Sequence, residues 1–173
     1  MAKLKTRDLV LCGLFAALTG ITSQITIPIG PVPVNMAHVA IFVGAGLLKP
    51  RLIACSQIIF ILMGVMGLPV FSGFRGGMGH LLGPTGGFII GYVICGWATA
   101  HLLKKIGLSW FGLIFSMIIG ALISYGLGTF WFMEVTGADL ATALLLCVVP
   151  FLFGDFLKIL LSGFLIRRIR KVM

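Results

Sequence analysis

The sequence predicts an all-α integral membrane protein with six transmembrane helices, forming a single domain over residues 1–173. Of its residues, 60% are hydrophobic and 10% are charged, whereas a soluble domain has about 25% charged residues. The apolar runs are long and lack strand-like alternation, which argues against a membrane β-barrel. The basic residues lie in short clusters between these runs, so membrane topology explains the net charge of +9 better than nucleic-acid binding does.

The first predicted helix covers residues 6–27 and follows a short basic segment. It is longer than the ~7–15-residue core of a signal peptide, and no A-x-A cleavage site follows it, so we interpret it as a retained helix. Pro28, Pro31 and Pro33 are expected to end it. Because a residue before proline avoids the helical region, the segment IPIGPVPVN should be an extended link.

The other five helices follow as separate apolar runs. They are predicted over residues 36–48, 51–66, 86–103, 110–133 and 140–169. The second is short for a crossing, which needs about 20 residues. Pro150 lies within the sixth and is expected to kink it.

A glycine-rich stretch, GLPVFSGFRGGMGHLLGPTGG at residues 67–87, separates the third helix from the fourth. Its eight glycines and two prolines disfavour a spanning helix, while its apolar side chains do not suit an exposed loop. Irregular backbone among apolar helices is tolerated where it lines a cavity. The stretch is therefore predicted to cover a ligand pocket that faces outwards.

The distribution of charge predicts that both termini are cytoplasmic. With this orientation the inside segments carry 11 of the 13 Lys and Arg residues: Lys3, Lys5, Arg7, Lys49, Arg51, Lys104, Lys105, Arg167, Arg168, Arg170 and Lys171. The outer connections between helices 1 and 2 and between helices 5 and 6 carry none. An even number of crossings thus satisfies the positive-inside rule and places the glycine-rich stretch on the outer side.

Lys158 is one of the two basic residues that this topology does not explain. It lies nine residues before Arg167, about 13 Å along the helix and near the middle of the membrane. Asp155 is three residues earlier and on the same face. Each charge costs roughly 2.5–3.5 kcal/mol on membrane insertion. The pair is either an internal ion pair or, as intramembrane charges favour, part of a polar ligand site.

Arg75 is the other unexplained basic residue, and Gly73, Gly76 and Gly77 flank it. A guanidinium on a pliable, glycine-rich backbone suits a ligand carboxylate or phosphate. The alternative is an arginine that extends to lipid headgroups. Thr85 precedes the fourth helix, where a plain N-cap is favoured over anion binding.

Small residues recur at four-residue spacing on two predicted helices. One stripe is Cys12, Ala16 and Gly20; the other is Gly120, Ser124 and Gly128. Such stripes allow helices to approach closely in lipid. They indicate either internal packing or a docking face for another membrane protein.

Motifs for catalysis, metal binding and cofactor binding are missing. There is no phosphate-binding G-x-x-x-x-G-K-[ST] loop, so the chain is not expected to use ATP alone. His38, His80 and His101 have no metal spacing, and the four cysteines are isolated in apolar segments. The sequence therefore predicts neither an enzyme nor a metal or cofactor site.

Three motifs resemble the BioY family, the biotin-specific substrate-binding (S) subunits of energy-coupling factor (ECF) transporters. They are the glycine-rich stretch, the PIGPVPVN link and the G-D-x-x-K run at 154–158. The resemblance covers nearly the whole chain. It implies six membrane helices around an extracellular pocket walled by the first loop, the third loop and helices 4 to 6.

The resemblance also implies roles for individual residues. Asp155 and Lys158 match the polar pair that contacts biotin, and Arg75 with its glycines matches the loop that covers the ligand. The stripe Cys12, Ala16 and Gly20 matches an A-x-x-x-A-x-x-x-A-type motif that docks the transmembrane coupling (T) subunit, with Cys and Gly replacing its outer alanines. Just after the first loop, Asn35 and His38 stand where the resemblance leads us to expect Thr and another polar residue.

The expected function is biotin binding and uptake across a bacterial plasma membrane, with a T subunit and two ATP-binding cassette ATPases as partners. Asp155 would accept a ureido N–H, and Lys158 or Arg75 would meet the carbonyl or carboxylate. The alternatives are another vitamin on the same scaffold, or a membrane-embedded enzyme acting on a lipid or isoprenoid. It also stays open whether the chain transports biotin alone, as a homo-oligomer, or only together with coupling partners.

Overall fold

The computed structural model describes residues 5–27 and 31–172. Lys3 of the predicted basic N-terminus and Pro28 of the proline-rich link lie outside these residues. The described chain is mostly helical, with one two-stranded sheet. Its elements are α1 (Thr6–Ser23), β1 (Thr26–Ile27), β2 (Val34–Asn35), α2 (Ala37–Leu47), α3 (Pro50–Val65), α4 (Met78–Leu81), α5 (Gly86–Ile106), α6 (Trp110–Thr136), α7 (Leu140–Cys147) and α8 (Val149–Val172).

Three segments among the described residues are long and apolar enough to cross a membrane, rather than the six predicted. They are Gly86–Ile106, Trp110–Thr136 and Leu140–Val172. Ala37–Leu47 and Pro50–Val65 are apolar but shorter. Helix α1 ends at Ser23, where the hydroxyls of Thr22 and Ser23 bond to carbonyl groups of its last turns.

The proline-rich link is extended at both ends, as predicted, and its ends also pair with each other. Thr26 lies opposite Asn35 and Ile27 opposite Val34 in an antiparallel ladder. This pairing draws the end of α1 close to the start of α2. It also fixes Asn35 at the point where the chain enters α2.

The predicted sixth helix is broken rather than only kinked. α7 ends at Cys147, and Val148 leaves the helical region with φ −124° and ψ −54° before α8 begins. Pro150 follows directly in the first turn of α8, where its missing N–H is tolerated. The break lets α7 pack on α6 while α8 packs against α2 and α6.

Small residues in α6 serve internal packing. Cβ atoms added at Gly120 and Gly128 would collide with Thr99 and Phe88 of α5, and Gly91 of α5 faces Ser124 in the same way. These positions allow α5 and α6 to lie close together along their length. The internal-packing interpretation therefore holds for the stripe Gly120, Ser124 and Gly128.

The small stripe of α1, predicted as either internal packing or a docking face, is also buried in the described chain. Cys12 and Ala16 are fully buried, and the Cys12 thiol donates to the Leu52 carbonyl oxygen of α3 at 3.3 Å. Gly20 is buried against Val70 of the glycine-rich stretch. Spacing revealed that the residues share a face, but this face points into the protein.

Candidate functional site

A cavity lies between α2, α3, α5, α6 and α8, below the hairpin and the glycine-rich stretch. Its non-protein space is about 570 Å³ when the open mouth and the gaps between side chains are included. Its walls are formed by Ser23, Val32, Pro33, Asn35, His38, Phe60, Phe71, Ser72, His80, Thr85, Phe88, Ile89, Tyr92, Tyr125, Phe151 and Lys158. The lining is mainly aromatic and apolar, with a few polar groups.

Asp155 and Lys158 form a buried ion pair at this cavity. α8 places them three residues apart, and the Lys158 ammonium donates to Asp155 Oδ1 at 2.6 Å. The Tyr125 hydroxyl donates to Asp155 Oδ2. Lys158 and Tyr125 line the cavity directly. The two interpretations of the pair are thus compatible, since it is an internal ion pair with one member on the cavity wall.

Asn35 joins three elements at the cavity wall. Its Oδ1 accepts from the Ala37 backbone N–H at 3.0 Å, at the start of α2. Its amide nitrogen donates to the Ser72 hydroxyl at 2.5 Å and lies 3.4 Å from the Tyr92 hydroxyl. The hairpin, the glycine-rich stretch and α5 are therefore connected through one side chain.

His38 is a buried polar residue on the cavity wall, in the first turn of α2. Its side chain is 6% exposed, and its ring lies edge-on to Tyr92 with centroids 5.2 Å apart. Its Nε2 is buried and has no hydrogen-bond partner in the part of the chain that the structure describes. Most buried polar atoms have such a partner, so the unpaired nitrogen needs an explanation.

Sequence reasoning missed Tyr92 and Tyr125 as cavity residues. A signal was present: the chain has 14 Phe but only two Tyr, and both tyrosines line the cavity. A tyrosine hydroxyl inside an apolar helix requires a hydrogen-bond partner. The aromatic walls Phe60, Phe71, Phe88 and Phe151 carried no comparable signal, because buried phenylalanine is common in any core.

The glycine-rich stretch folds over the cavity. Phe71 is buried with its ring against Gly64 of α3, where an added Cβ would lie 2.1 Å from the ring. The Gly77 N–H donates to the Gly64 carbonyl oxygen at 2.6 Å. At the far end of the stretch, the Trp131 indole donates to the Gly83 carbonyl oxygen at 3.0 Å. We call residues 67–83 the lid.

The end of α1 clamps the lid through Gln24. Its amide nitrogen donates to the carbonyl oxygens of Val70 and Phe71, at 3.0 and 3.2 Å. Its Oε1 accepts from the Phe74 N–H at 2.8 Å. Phe74 has a φ of 57°, which a bulky residue rarely adopts. One side chain thus holds the lid where its backbone is strained.

Arg75 lies on the outside of the lid and not on the cavity wall. Its side chain is exposed, while its backbone pairs with that of Phe71. Gly73 and Gly76 are exposed and Gly77 is half-buried, and all three lie outside the cavity lining. The structure therefore brings Asn35, Thr85 and Lys158 to the cavity, with Asp155 behind Lys158, but leaves Arg75 and its glycines on the outer surface.

Thr85 lines the cavity, but its side chain makes no capping bond at the start of α5, which corrects the prediction of a plain cap. Its hydroxyl instead lies 3.3 Å from Nε2 of His80. The His80 ring stacks on Phe71 with centroids 5.4 Å apart. Burial in this contact, followed by the nearby Arg75 charge, lowers the pKa of His80. The His80 ring thus packs on the underside of the lid.

Among residues 5–27 and 31–172, no group of three or more His, Cys, Asp or Glu side chains could hold a metal ion. The polar groups of the cavity instead comprise one ammonium, hydroxyls, an amide and imidazoles. Such a set can bind a small polar molecule by hydrogen bonds while the aromatic walls cover its apolar part.

Comparisons with known proteins give a consistent result. The BioY family model matches residues 1–173. The chain is 34% identical over 155 residues to a protein named probable biotin transporter BioY from Pyrococcus horikoshii, covering 90% of this chain and 91% of that protein. It is 32% identical over 167 residues to the biotin transporter BioY of Thermotoga maritima, covering 96% and 97%.

A solved structure is similar over nearly the whole chain. It is the crystal structure at 2.1 Å of the S-component for biotin from an ECF-type ABC transporter, with a TM-score of 0.88 and 29% sequence identity. The match covers 98% of this chain and 95% of the crystallised one. The chain therefore has the same overall arrangement of helices as this S-component.

Proposed function

The chain belongs to the BioY family, and from this premise we propose that it binds biotin in the cavity and acts as the S-component of an ECF transporter. It is a transport protein and not an enzyme. The observation that carries the proposal is the match along all of residues 1–173, which includes the cavity-forming segments. The proposed location is the bacterial plasma membrane.

The chemistry of the cavity supports biotin as the ligand. Biotin has an apolar fused ring, a ureido group with two N–H donors and one carbonyl acceptor, and a carboxylate on an aliphatic chain. The aromatic walls suit the ring and the chain, and the few polar groups suit the ureido group. The alternative is another vitamin that combines an apolar body with a small polar group.

We assign the central polar contact to Lys158. Its ammonium has three N–H donors, of which one is used by Asp155. The remaining donors can reach the ureido carbonyl or the carboxylate of the ligand. Asp155 holds the ammonium in place, and because a carboxylate has about four acceptor positions it can accept one ureido N–H as well. Arg75, at the outer surface of the lid, is the alternative partner for the carboxylate.

We also propose that all six predicted segments lie in the membrane, with both termini cytoplasmic. Arg170 donates to the Gly46 carbonyl oxygen at 2.8 Å, near Lys49. The Arg167 guanidinium lies 5.1 Å from the Trp110 ring centroid, next to the basic end of α5. The basic segments thus gather at one end of the molecule, as one cytoplasmic side requires.

The proposed partners are a T subunit and two ATP-binding cassette ATPases. The chain has no ATP-binding loop of its own, so the energy for uptake would come from these partners. Because Cys12, Ala16 and Gly20 are buried, we assign docking to the exposed face of α1 beside them, which includes Gly13 and Ala17. A homo-oligomer is the alternative assembly.

Titration calorimetry with the purified protein tests the function. We expect biotin to bind more tightly than micromolar, and Asp155→Asn and Lys158→Ala to weaken it strongly. The biotin affinity of Arg75→Ala in the same titration shows whether the carboxylate of biotin contacts the lid. Competition with other vitamins tests the alternative ligand. Absence of biotin binding, or unchanged binding in both pair variants, would contradict the assignment.

A further inference from the structure

His38 is a cavity group to which no role has yet been assigned. It lies on α2, which packs against α8, and its imidazole lines the same cavity as Lys158. Its Nε2 is buried and unpaired among the residues that the structure describes. A buried nitrogen without a partner lowers stability, unless a ligand supplies the missing hydrogen bond.

The other polar groups of the cavity already have hydrogen-bond partners. Asn35 Oδ1 accepts from Ala37, and its amide nitrogen donates to Ser72. Each oxygen of Asp155 accepts one hydrogen bond. Lys158 can only donate. A ligand with two N–H donors and one carbonyl therefore finds a donor in Lys158, while Asp155, which is 3% exposed, lies behind Lys158 and not on the cavity wall. His38 Nε2 is an acceptor on that wall with no present partner to displace among the described residues.

We propose that His38 Nε2 accepts one ureido N–H of biotin and thereby makes the cavity selective for an unsubstituted ureido nitrogen. A neutral imidazole has one acceptor nitrogen and one donor nitrogen, so this role requires the tautomer with Nε2 unprotonated. The proposal rests on biotin being the ligand. It adds a residue that determines specificity, beyond Asp155 and Lys158.

The test compares three ligands on the purified, full-length protein: biotin and the two biotins methylated at one or the other ureido nitrogen. We expect the wild type to bind biotin and to reject at least one methylated form by about tenfold or more, the size of one good hydrogen bond. Wild-type protein that binds both methylated forms as tightly as biotin would overturn the proposal without any variant.

Substitutions at His38 then assign the contact. We expect His38→Leu to weaken biotin binding about tenfold while leaving the affinity for one methylated form nearly unchanged, because that ligand already lacks the bond. His38→Gln retains an acceptor and should preserve most of the discrimination. His101→Leu, the same change at a histidine on α5 that packs on Trp97, is the matched control and should bind as wild type.

The outcomes separate this proposal from the function on which it rests. Equal losses for all three ligands in His38→Leu would indicate a purely structural residue and would overturn the proposal, while biotin binding by the wild type would still stand. A wild type that does not bind biotin would overturn both. If His38→Leu does not fold, His38→Gln and the wild-type ligand series decide the question.

Discussion

Gln24 accepts a hydrogen bond from the backbone N–H of Phe74, 50 residues later in the chain, at 2.8 Å. The same side chain donates to carbonyl oxygens of the lid on the other side. The end of α1 therefore holds the lid by its main chain and does not depend on the lid's side chains. This relationship explains how a glycine-rich segment keeps one conformation over the cavity.

Replacing Gln24 by Ala is expected to loosen the lid. The loss of two or more hydrogen bonds, each worth about 0.5–1.5 kcal/mol, should accelerate biotin dissociation roughly tenfold. Stopped-flow competition or surface-immobilised binding measures the rate. Thr22→Val is the control, because that hydroxyl bonds only within α1. An unchanged dissociation rate in Gln24→Ala would show that the clamp does not govern ligand release.

Replacing Gly64 by Ala should displace the lid from below. The new Cβ would lie 2.1 Å from the Phe71 ring, so the ring has to move away from α3. We expect biotin affinity to fall about tenfold or more, and a second change, Phe71→Ala, to restore room beneath the lid. The matched control is Gly13→Ala, since nothing lies within 4 Å of a Cβ there. Wild-type affinity in Gly64→Ala would contradict the closed position of Phe71.

Removing one member of the buried ion pair should destabilise the protein more than removing both. Lys158→Met leaves the Asp155 carboxylate buried without its counterion and should cost about 3–5 kcal/mol. The double variant Asp155→Asn/Lys158→Met should recover much of this loss but not biotin binding. Thermal unfolding in detergent measures the first effect, with the exposed Lys104→Met as control. A double variant as unstable as Lys158→Met would argue against charge burial as the cause.

Enlarging Ala17 tests where a T subunit docks. Ala17 is exposed on α1, so Ala17→Leu should leave folding and biotin binding intact while reducing co-purification with the T subunit. Gly20→Leu is a less direct test, because its side chain would press on Val70 and disturb the lid. Ala141→Leu on the exposed side of α7 is the size-matched control. Full complex formation by Ala17→Leu would exclude this face of α1.

Local sequence signals predicted where helices begin better than where they end. The start of α5 at Gly86 and of α6 at Trp110 agree with prediction. The first helix was predicted to continue to the prolines, but it ends at Ser23, and the side chains of Ser23 and Gln24 bond to the lid. Polar side chains in an apolar run thus mark the boundary, and their partners lie far along the chain.

The candidate site was predictable where a charge stood in an apolar segment. Asp155 and Lys158 could be found this way, because no tertiary information is needed to see that a membrane helix disfavours charge. His38 and Gln24 could not, since an imidazole or an amide becomes informative only through the partners it has or lacks. The stripe on α1 could not be assigned to packing or to docking from its spacing for a related reason: equal spacing occurs on buried and exposed faces of a helix.

The pairing of Asp155 with Lys158 has a consequence for the energetics of uptake. Their charges are opposite, so the pair as a unit carries no net charge for the transmembrane potential to act on. Bound biotin would add one negative charge through its carboxylate. An interior-negative potential opposes inward movement of that charge by about 2.3 kcal/mol per 100 mV. The voltage would therefore work against import of the vitamin anion, and ATP hydrolysis by the proposed partner subunits would have to supply this work as well.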